Sequence, residues 1–333
     1  MNVLSVIGRH HVLVRAQLSQ LLSVPGDDGL PGACAVRGQF RVDAGGASAA
    51  GAAVTCIACT AGAASPIYDG LLMRCGSCGH VWADADLTAA DVQALYGRSY
   101  FHGDEYSDYL GDRPSTERNF AARLADLERH LDPRAHRRLF EIGCAYGLFL
   151  HQARARFEHV AGIDITDEGV EFARTSLGLD VQRGDFLEAD VSGQRFDVVC
   201  AWDTIEHLAR PADYVQKAAL LMPPGGVLAL TTGDIGSLNA RLRGPRWRLI
   251  HPPTHLHYFS VPSMTRMLDR LGFDVIHTAH IGSYRRVGNM LHNIVALRWG
   301  HPAAGQWLAD SWLSGINLFV NLFDVMSVVA RKR

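Results

Sequence analysis

The run Arg138-Leu-Phe-Glu-Ile-Gly-Cys-Ala-Tyr-Gly147, followed by Val160-Ala-Gly-Ile-Asp164, constrains the fold more than any other part of this chain. It spells an apolar strand, a glycine-hinged turn opening a helix, and a second apolar strand ending in a carboxylate. In an open α/β sheet two such strand ends lie side by side at the crevice where nucleoside-bearing ligands bind. Backbone at Gly143 can approach the ligand there without a Cβ in the way, and Asp164 faces a ribose diol.

Downstream, strand and helix patterns alternate in the order a doubly wound sheet requires. A helical pattern from Asp167 to Ser176 leads to the short strand Leu179-Asp-Val-Gln-Arg-Gly-Asp-Phe186. Phe196-Asp-Val-Val-Cys-Ala-Trp-Asp-Thr-Ile-Glu-His-Leu208 is a buried-strand run ending in a polar cluster. Pro211 to Met222 is amphipathic with an initial proline, and Pro223-Pro-Gly-Gly226 breaks it before the strand Val227 to Thr232. A helix from Val261 to Leu271 then precedes Gly272-Phe-Asp-Val-Ile276.

Dinucleotide-binding turns usually carry G-x-G-x-x-G, whereas here Gly143 and Gly147 are spaced G-x-x-x-G with Glu141 two residues ahead. This resembles the E/D-x-G-x-G-x-G signature of class I S-adenosylmethionine-dependent methyltransferases, with Ala145 at the middle glycine. The block Trp247-Arg-Leu-Ile-His-Pro-Pro-Thr-His-Leu-His-Tyr-Phe-Ser260 is similar to the methyltransferase domain family 23 pattern, in which H-L-x-x-F-S precedes the helix leading to the sixth strand. The resemblance covers roughly residues 90 to 281 and the tail Phe323 to Arg331, which it makes a seventh, antiparallel strand. It implies an α/β fold with a doubly wound, seven-stranded, mostly parallel sheet. It also implies an S-adenosylmethionine site built from Glu141, Gly143, Cys144, Ala145, Gly147, Asp164, Ile165, Asp185, Phe186, Trp202 and Asp203. In it Asp185 takes the adenine amino hydrogen, Phe186 packs on the ring, and Glu141 steers the glycine loop or the methionine amino group.

Cys56-Ile-Ala-Cys59 and Cys75-Gly-Ser-Cys78 form an independent signal, C-x2-C-x15-C-x2-C, which is the spacing of a four-thiolate zinc site. Two close pairs on tight turns place four sulfurs about one ion, and Gly76 and Gly79 free the second turn. Two disulfides, free thiols or a rubredoxin-like iron site are the alternatives. A four-thiolate shell leaves no open position for water or substrate, so the expected role is a structural zinc ribbon.

The expected organisation is an N-terminal extension (1–54), a zinc ribbon (55–86), a helical linker or cap (87–130) and the donor-binding domain (131–333) with a helical insert near 283–322. Residues 25–54 are rich in Gly, Ala and Asp and read as a poorly ordered linker, after a short helix within Met1 to Val24 that lacks the pattern of a secretory signal. Tyr96, Tyr100, Phe101, Tyr106 and Tyr109 suit either a roof over the crevice or ordinary packing. The insert carries Trp307, Leu308, Trp312, Leu313, Ile316, Leu318, Phe319 and Leu322, and its uncharged run from Ser311 to Phe323 is too short to span a bilayer. A substrate lid or homodimer face is expected there, with peripheral membrane contact, aided by Arg331-Lys-Arg333, as the alternative.

With 48% hydrophobic and 20% charged residues among 333, the chain suits a globular, cytoplasmic enzyme. Its formal charge of -2 supplies no long-range field for a polyanion, so nucleic acid is not an expected partner. Seven cysteines leave Cys34, Cys144 and Cys200 beyond the four ligands, and nothing demands an oxidising compartment.

The resemblance assigns methyl transfer to a small-molecule, glycan or lipid-linked acceptor, on oxygen before nitrogen or carbon. An RNA or protein methyltransferase recruited by the ribbon and a nicotinamide-dependent oxidoreductase are the rivals. His207, His255 and His257 are the candidate general bases, because both histidine-bearing segments follow parallel strands that end at the crevice and His titrates near neutrality. Bracing of the loops by these histidines is the competing role. Arg241, Arg243, Arg246 and Arg248 around Trp247 suit either an anionic or sugar-bearing acceptor or a solvated face.

Overall fold

The computed structural model describes residues 55–84, 110–191, 193–292 and 315–333, with single positions at 295, 307 and 311. Readings of 1–54, of Cys34, of Tyr96 to Tyr109 and of Leu308, Trp312 and Leu313 fall outside the described residues.

The cysteine segment contains three short strands, β1 (Ala64–Ile67), β2 (Leu72–Cys75) and β3 (Val81–Trp82), paired antiparallel. Helix α1 (Arg113–Glu128) precedes β4 (Arg138–Ile142), α2 (Leu148–Ala153), β5 (His159–Asp164), α3 (Asp167–Thr175) and β6 (Asp180–Arg183). Then come β7 (Val198–Trp202), α4 (Pro211–Leu221), β8 (Val227–Gly233), α5 (Leu238–Arg243), β9 (His257–Tyr258), α6 (Val261–Arg270) and β10 (Phe273–His280). The chain ends with β11 (Ser283–Arg286), α7 (Val287–His292), β12 (Asn317–Val320) and β13 (Val325–Lys332).

Seven strands form one sheet in the order β10-β13-β8-β7-β4-β5-β6, with β13 antiparallel to both neighbours and the other pairings parallel. Every residue of β7 is buried, as the unbroken run Val-Val-Cys-Ala-Trp requires of a central strand covered on both faces. Strand alternation divides the core in two. Phe140 and Val199 point to one layer with Phe186, Phe196 and Met267, while Leu139, Val198 and Cys200 point to the other with Phe149 and Val170. Pro211 supplies a preset φ at the start of α4, and Ser260 and Ser263 cap α6 reciprocally.

The described ends of the insert carry a strand pair, with Tyr284 opposite Phe319, and the short helix α7, and the single described positions Val295 and Trp307 are helical. Four residues on each side of the pair satisfy their backbone by pairing. The Arg331-Lys-Arg333 tail does not adjoin this insert. Because β13 runs antiparallel, the tail lies at the amino edge, about 25 Å along an eight-residue strand from the insert. There Lys332 Nζ donates to the carbonyls of Ala219 and Met222 at 2.7 Å each, and Arg333 pairs with Asp269 and Asp274.

β9 completes the sheet of the cysteine segment, in the order β1-β2-β3-β9, with Val81 opposite Tyr258 and Trp82 opposite His257. Inside this junction the imidazoles of His80 and His257 meet, Nε2 to Nδ1 at 3.2 Å, both buried. Burial, opposed by the Ala209 carbonyl, holds His257 down to about 4, and burial with the neighbouring His257 pushes His80 far below its ordinary value. A folded pKa below the unfolded one near 6.5 means that the unfolded chain binds the extra proton, so this stability is complete above about 6.5 and is lost as pH falls toward 4. From pH 7 to pH 5 His257 alone should remove about 2 kcal/mol, read as a falling melting temperature that His257→Gln flattens. A melting profile independent of pH over that interval contradicts the account.

Candidate functional site

Strands β4, β5 and β7 bring their carboxyl ends together beneath one turn. Gly143 has φ +73°, and a Cβ there would stand 2.6 Å from Thr204 Oγ1, so the turn presses directly on the chain leaving β7. Ala145 also adopts a left-handed backbone, φ 46°, although it carries a side chain. It is held by its N–H, which donates to Asp164 Oδ2 at 2.7 Å. Asp164 Oδ1 accepts from Thr166 N at 2.9 Å and Thr166 Oγ1 at 2.6 Å. Burial raises the Asp164 carboxyl, against the pull of these bonds. Gly147 opens α2 at φ +71°, where a Cβ would meet Leu179 Cδ1 at 2.6 Å.

Glu141 lies beneath the turn, 2% exposed, and its Oε2 has no hydrogen-bond partner. Burial and the neighbouring Asp164 push its carboxyl well above the ordinary range, against Arg123. An orphaned buried acceptor beside a turn that excludes side chains is what a ligand bearing a donor group would satisfy. Cys144 is buried and contributes backbone, its N–H donating to Ile163 O at 3.2 Å. Ile165 is exposed at the end of β5.

Phe186 does not lie open to a purine. It is 1% exposed in the core, 5.6 Å from the Phe140 ring, because a phenyl at that position finds more apolar contact in the layer below than at the crevice. Trp202 is likewise in the core, edge-on to Phe149 at 5.1 Å. Asp185 Oδ1 accepts from Leu187 N at 2.7 Å and from the Tyr214 hydroxyl at 2.5 Å. Asp203 forms an ion pair with Arg123 at 2.6 Å and accepts from the Thr231 hydroxyl at 2.8 Å. Burial raises its carboxyl, but Arg123 outweighs this and brings it below the ordinary range. Arg123 and Thr204 have no signal in the sequence, since each acts across a gap in the chain that only the fold closes.

Next to Asp203, the turn Ile205–His207 presents a second cluster. His207 Nδ1 faces the Thr254 carbonyl at 2.9 Å and His255 Nδ1 the Leu249 carbonyl at 2.9 Å, which places the hydrogen on Nδ1 and the lone pair on Nε2 in each. Their rings are 4.6 Å apart, with His251 3.9 Å from His255. Burial holds His207 down to about 4, and burial together with Asp203 lifts Glu206 to about 8. Ligand atoms of Glu206, His207 and His255 all lie within 4.8 Å of one another, so the set suits either proton acceptance or a cation. His257 is separate. Its nitrogens face His80 and, at 3.5 Å, the Ala209 carbonyl, so it braces the junction and has no lone pair to offer an acceptor. Of the arginines near Trp247, Arg248 is committed to the buried Asp324 at 2.9 Å, which also takes the Trp247 Nε1 hydrogen at 2.9 Å.

The four cysteines converge, with sulfur separations of 3.5 Å for Cys56 and Cys78 and 3.5 Å for Cys59 and Cys75. All four sulfurs lie within 4.8 Å of one another. A tetrahedron with metal–sulfur bonds of about 2.3 Å has edges near 3.8 Å, so small side-chain shifts suffice to close the shell. Each pair rides a tight turn, Thr60 N donating to Cys56 O at 2.7 Å and Gly79 N to Cys75 O at 3.0 Å.

Gly143→Ala should lower stability by about 1–3 kcal/mol, because it adds both a left-handed side chain and a clash with Thr204. Denaturant melting reads the loss, and Thr204→Gly in the same background should recover the share due to contact. A neutral Gly143→Ala substitution would show that the turn is not close-packed.

Comparison with known proteins agrees with this geometry. The family model described as a methyltransferase domain matches residues 112–278, half of the chain. A ubiquinone biosynthesis O-methyltransferase from Aromatoleum aromaticum is 31% identical over 104 residues, 29% of this chain and 44% of that protein. The 27-O-demethylrifamycin SV methyltransferase of Amycolatopsis mediterranei is 32% identical over 154 residues, 44% of this chain and 55% of that protein. The chain thus spans about half the length of these curated relatives. Among solved structures, magnesium protoporphyrin IX methyltransferase from Synechocystis with bound SAH aligns at 14% identity and TM-score 0.48, covering 74% of this chain and all of that one. The chain belongs to the methyltransferase domain family, and its sheet has the Rossmann-like fold of class I S-adenosylmethionine-dependent methyltransferases.

Proposed function

We propose that this protein transfers a methyl group from S-adenosylmethionine to an oxygen of a small molecule, glycan or lipid-linked acceptor. The observation that carries the reading is Glu141 Oε2, buried and unpartnered beneath the Gly143 turn, at the end of the sheet where Asp164 and Ile165 also emerge. S-adenosylmethionine, when bound, supplies a methyl already activated on a sulfonium. The residues here fit it. Glu141 offers the orphaned acceptor to the methionine ammonium, and Asp164, with three bonds already accepted, retains one acceptor position for a ribose hydroxyl. Ile165 offers an exposed apolar side chain to the nucleoside.

The chain's remaining task is to align the acceptor and take its proton. His207 and His255 suit proton acceptance, since each carries its lone pair on Nε2 and burial keeps each neutral near pH 7. Protonated Glu206 beside them adds no negative charge to oppose an incoming oxyanion. The names of the ubiquinone and rifamycin relatives, both O-methyltransferases of small molecules, support oxygen as the acceptor atom.

The cysteine cluster we assign to structural zinc, in keeping with its four thiolates and closed shell. Its contribution is to fold β3, which pairs with β9, and β9 leads back to the site: Leu256 N donates to Glu206 O at 2.8 Å.

Four outcomes are expected. Thermal stabilisation should appear with S-adenosylmethionine and not with NAD; the reverse would favour an oxidoreductase. Incubation with labelled donor and fractionated cell extract should label a small-molecule fraction, with Asp164→Ala losing donor affinity and His207→Gln losing turnover while keeping donor affinity. Turnover should stay level from pH 7 to about 5, where Glu206 keeps its proton, and fall as His207 protonates near 4. Elemental analysis should find about one zinc per chain, and its removal should raise hydrogen exchange across 255–259 before it disturbs β4. Unchanged exchange on metal removal would disconnect the ribbon from the site.

A further inference from the structure

We infer that α5 and the turn between β12 and β13 form a docking surface for an anionic lipid bilayer. Helix α5 is only Leu238–Arg243, yet it holds Leu238 and Leu242, four residues apart and therefore on one face, 73% and 77% exposed. Strand β12 and the turn that follows it add Leu318, Phe319, Leu322 and Phe323, of which Phe319 and Phe323 are 57% and 64% exposed. Single exposed apolar residues are ordinary, but six in two adjoining segments are not.

One buried carboxylate joins the two segments. Asp324 accepts from Asn239 Nδ2 of α5 at 2.7 Å, from Trp247 Nε1 and from Arg248. The residue before it, Phe323, is held at φ 53°, a strained conformation for a bulky side chain, with its N–H donating to Asn321 Oδ1 at 2.8 Å. The fold therefore maintains strain to keep a phenyl ring in solvent, which is the pattern of a contact residue awaiting its partner.

Charge selects the partner. Arg241, Arg243 and Arg246 are exposed beside the leucines, and the sequence has no Asp or Glu from 235 to 268 or from 311 to 323. Leucines and phenylalanines with arginines among them match the boundary between acyl chains and anionic headgroups. With a whole-chain charge of -2, the attraction is confined to this face. The surface also lies at the carboxyl edge of the sheet, since α5 follows β8 and Val325 pairs with Gly233 at the end of β8. Docking would bring the crevice to the lipid, although the surface itself does not depend on the proposed methyl transfer.

The test is co-sedimentation of the full chain with vesicles of phosphatidylcholine alone and of phosphatidylcholine with phosphatidylglycerol. Binding is expected to the anionic vesicles, falling with salt. The double variant Leu238→Ser and Leu242→Ser should lower partitioning about tenfold, and Arg241→Gln with Arg243→Gln by more than tenfold, at about fivefold for each arginine. Melting temperature and S-adenosylmethionine affinity of the variants should match the parent, which separates loss of docking from loss of the donor site. No vesicle binding, equal binding to neutral and anionic vesicles, or binding untouched by the leucine changes would each overturn the inference. So would salt-sensitive RNA binding that needs the arginines but not the leucines, or self-association through the leucines.

Discussion

The carboxylate of Asp164 is the interaction on which the site depends. By accepting from Ala145 N and from both donors of Thr166, it ties the turn after β4 to the end of β5 and holds Ala145 in a backbone conformation a non-glycine residue rarely adopts. These three bonds counter part of the desolvation, which still holds the carboxyl above its ordinary range. The crevice is thus preorganised by the same group that we propose meets the ligand, and its opening is set before any ligand arrives.

A second dependency runs from the cysteines to the histidines. Strand β9 is two residues long, too short to persist alone, and it persists because β3 pairs with it and because Leu256 is bonded on both sides, to Ala83 and to Glu206. The small sheet and the large one are consequently joined through main chain and not through side chains alone. The His80 and His257 pair seals this joint with two neutral rings where charged groups would need water.

Much of this was legible in the sequence wherever the signal was periodic or covalently spaced. The β4 to β8 alternation follows from apolar runs and the cysteine quartet from fixed ligand intervals, while the antiparallel last strand came only with the resemblance to methyltransferases. The side-chain directions were not legible. Phe186 and Trp202 sit next to polar crevice residues in the chain, but the turn after β6 carries one into the core and the pleat of β7 the other. His255 and His257 are two residues apart, yet one joins His207 and the other joins His80, because the segment between Pro253 and Tyr258 passes from loop into strand. Arg123 was invisible since nothing in a helix of mixed charge marks which arginine will meet a carboxylate 80 residues later.

The reversed direction of β13 has one more consequence. It turns the last residues of the chain away from the cleft and fixes them against the far rim, where Lys332 and Arg333 are spoken for by carbonyls and carboxylates. A label, affinity handle or solid support attached through Arg333 is therefore held on the side of the molecule remote from both Gly143 and Phe323, so immobilisation there leaves the rim around these residues facing solution.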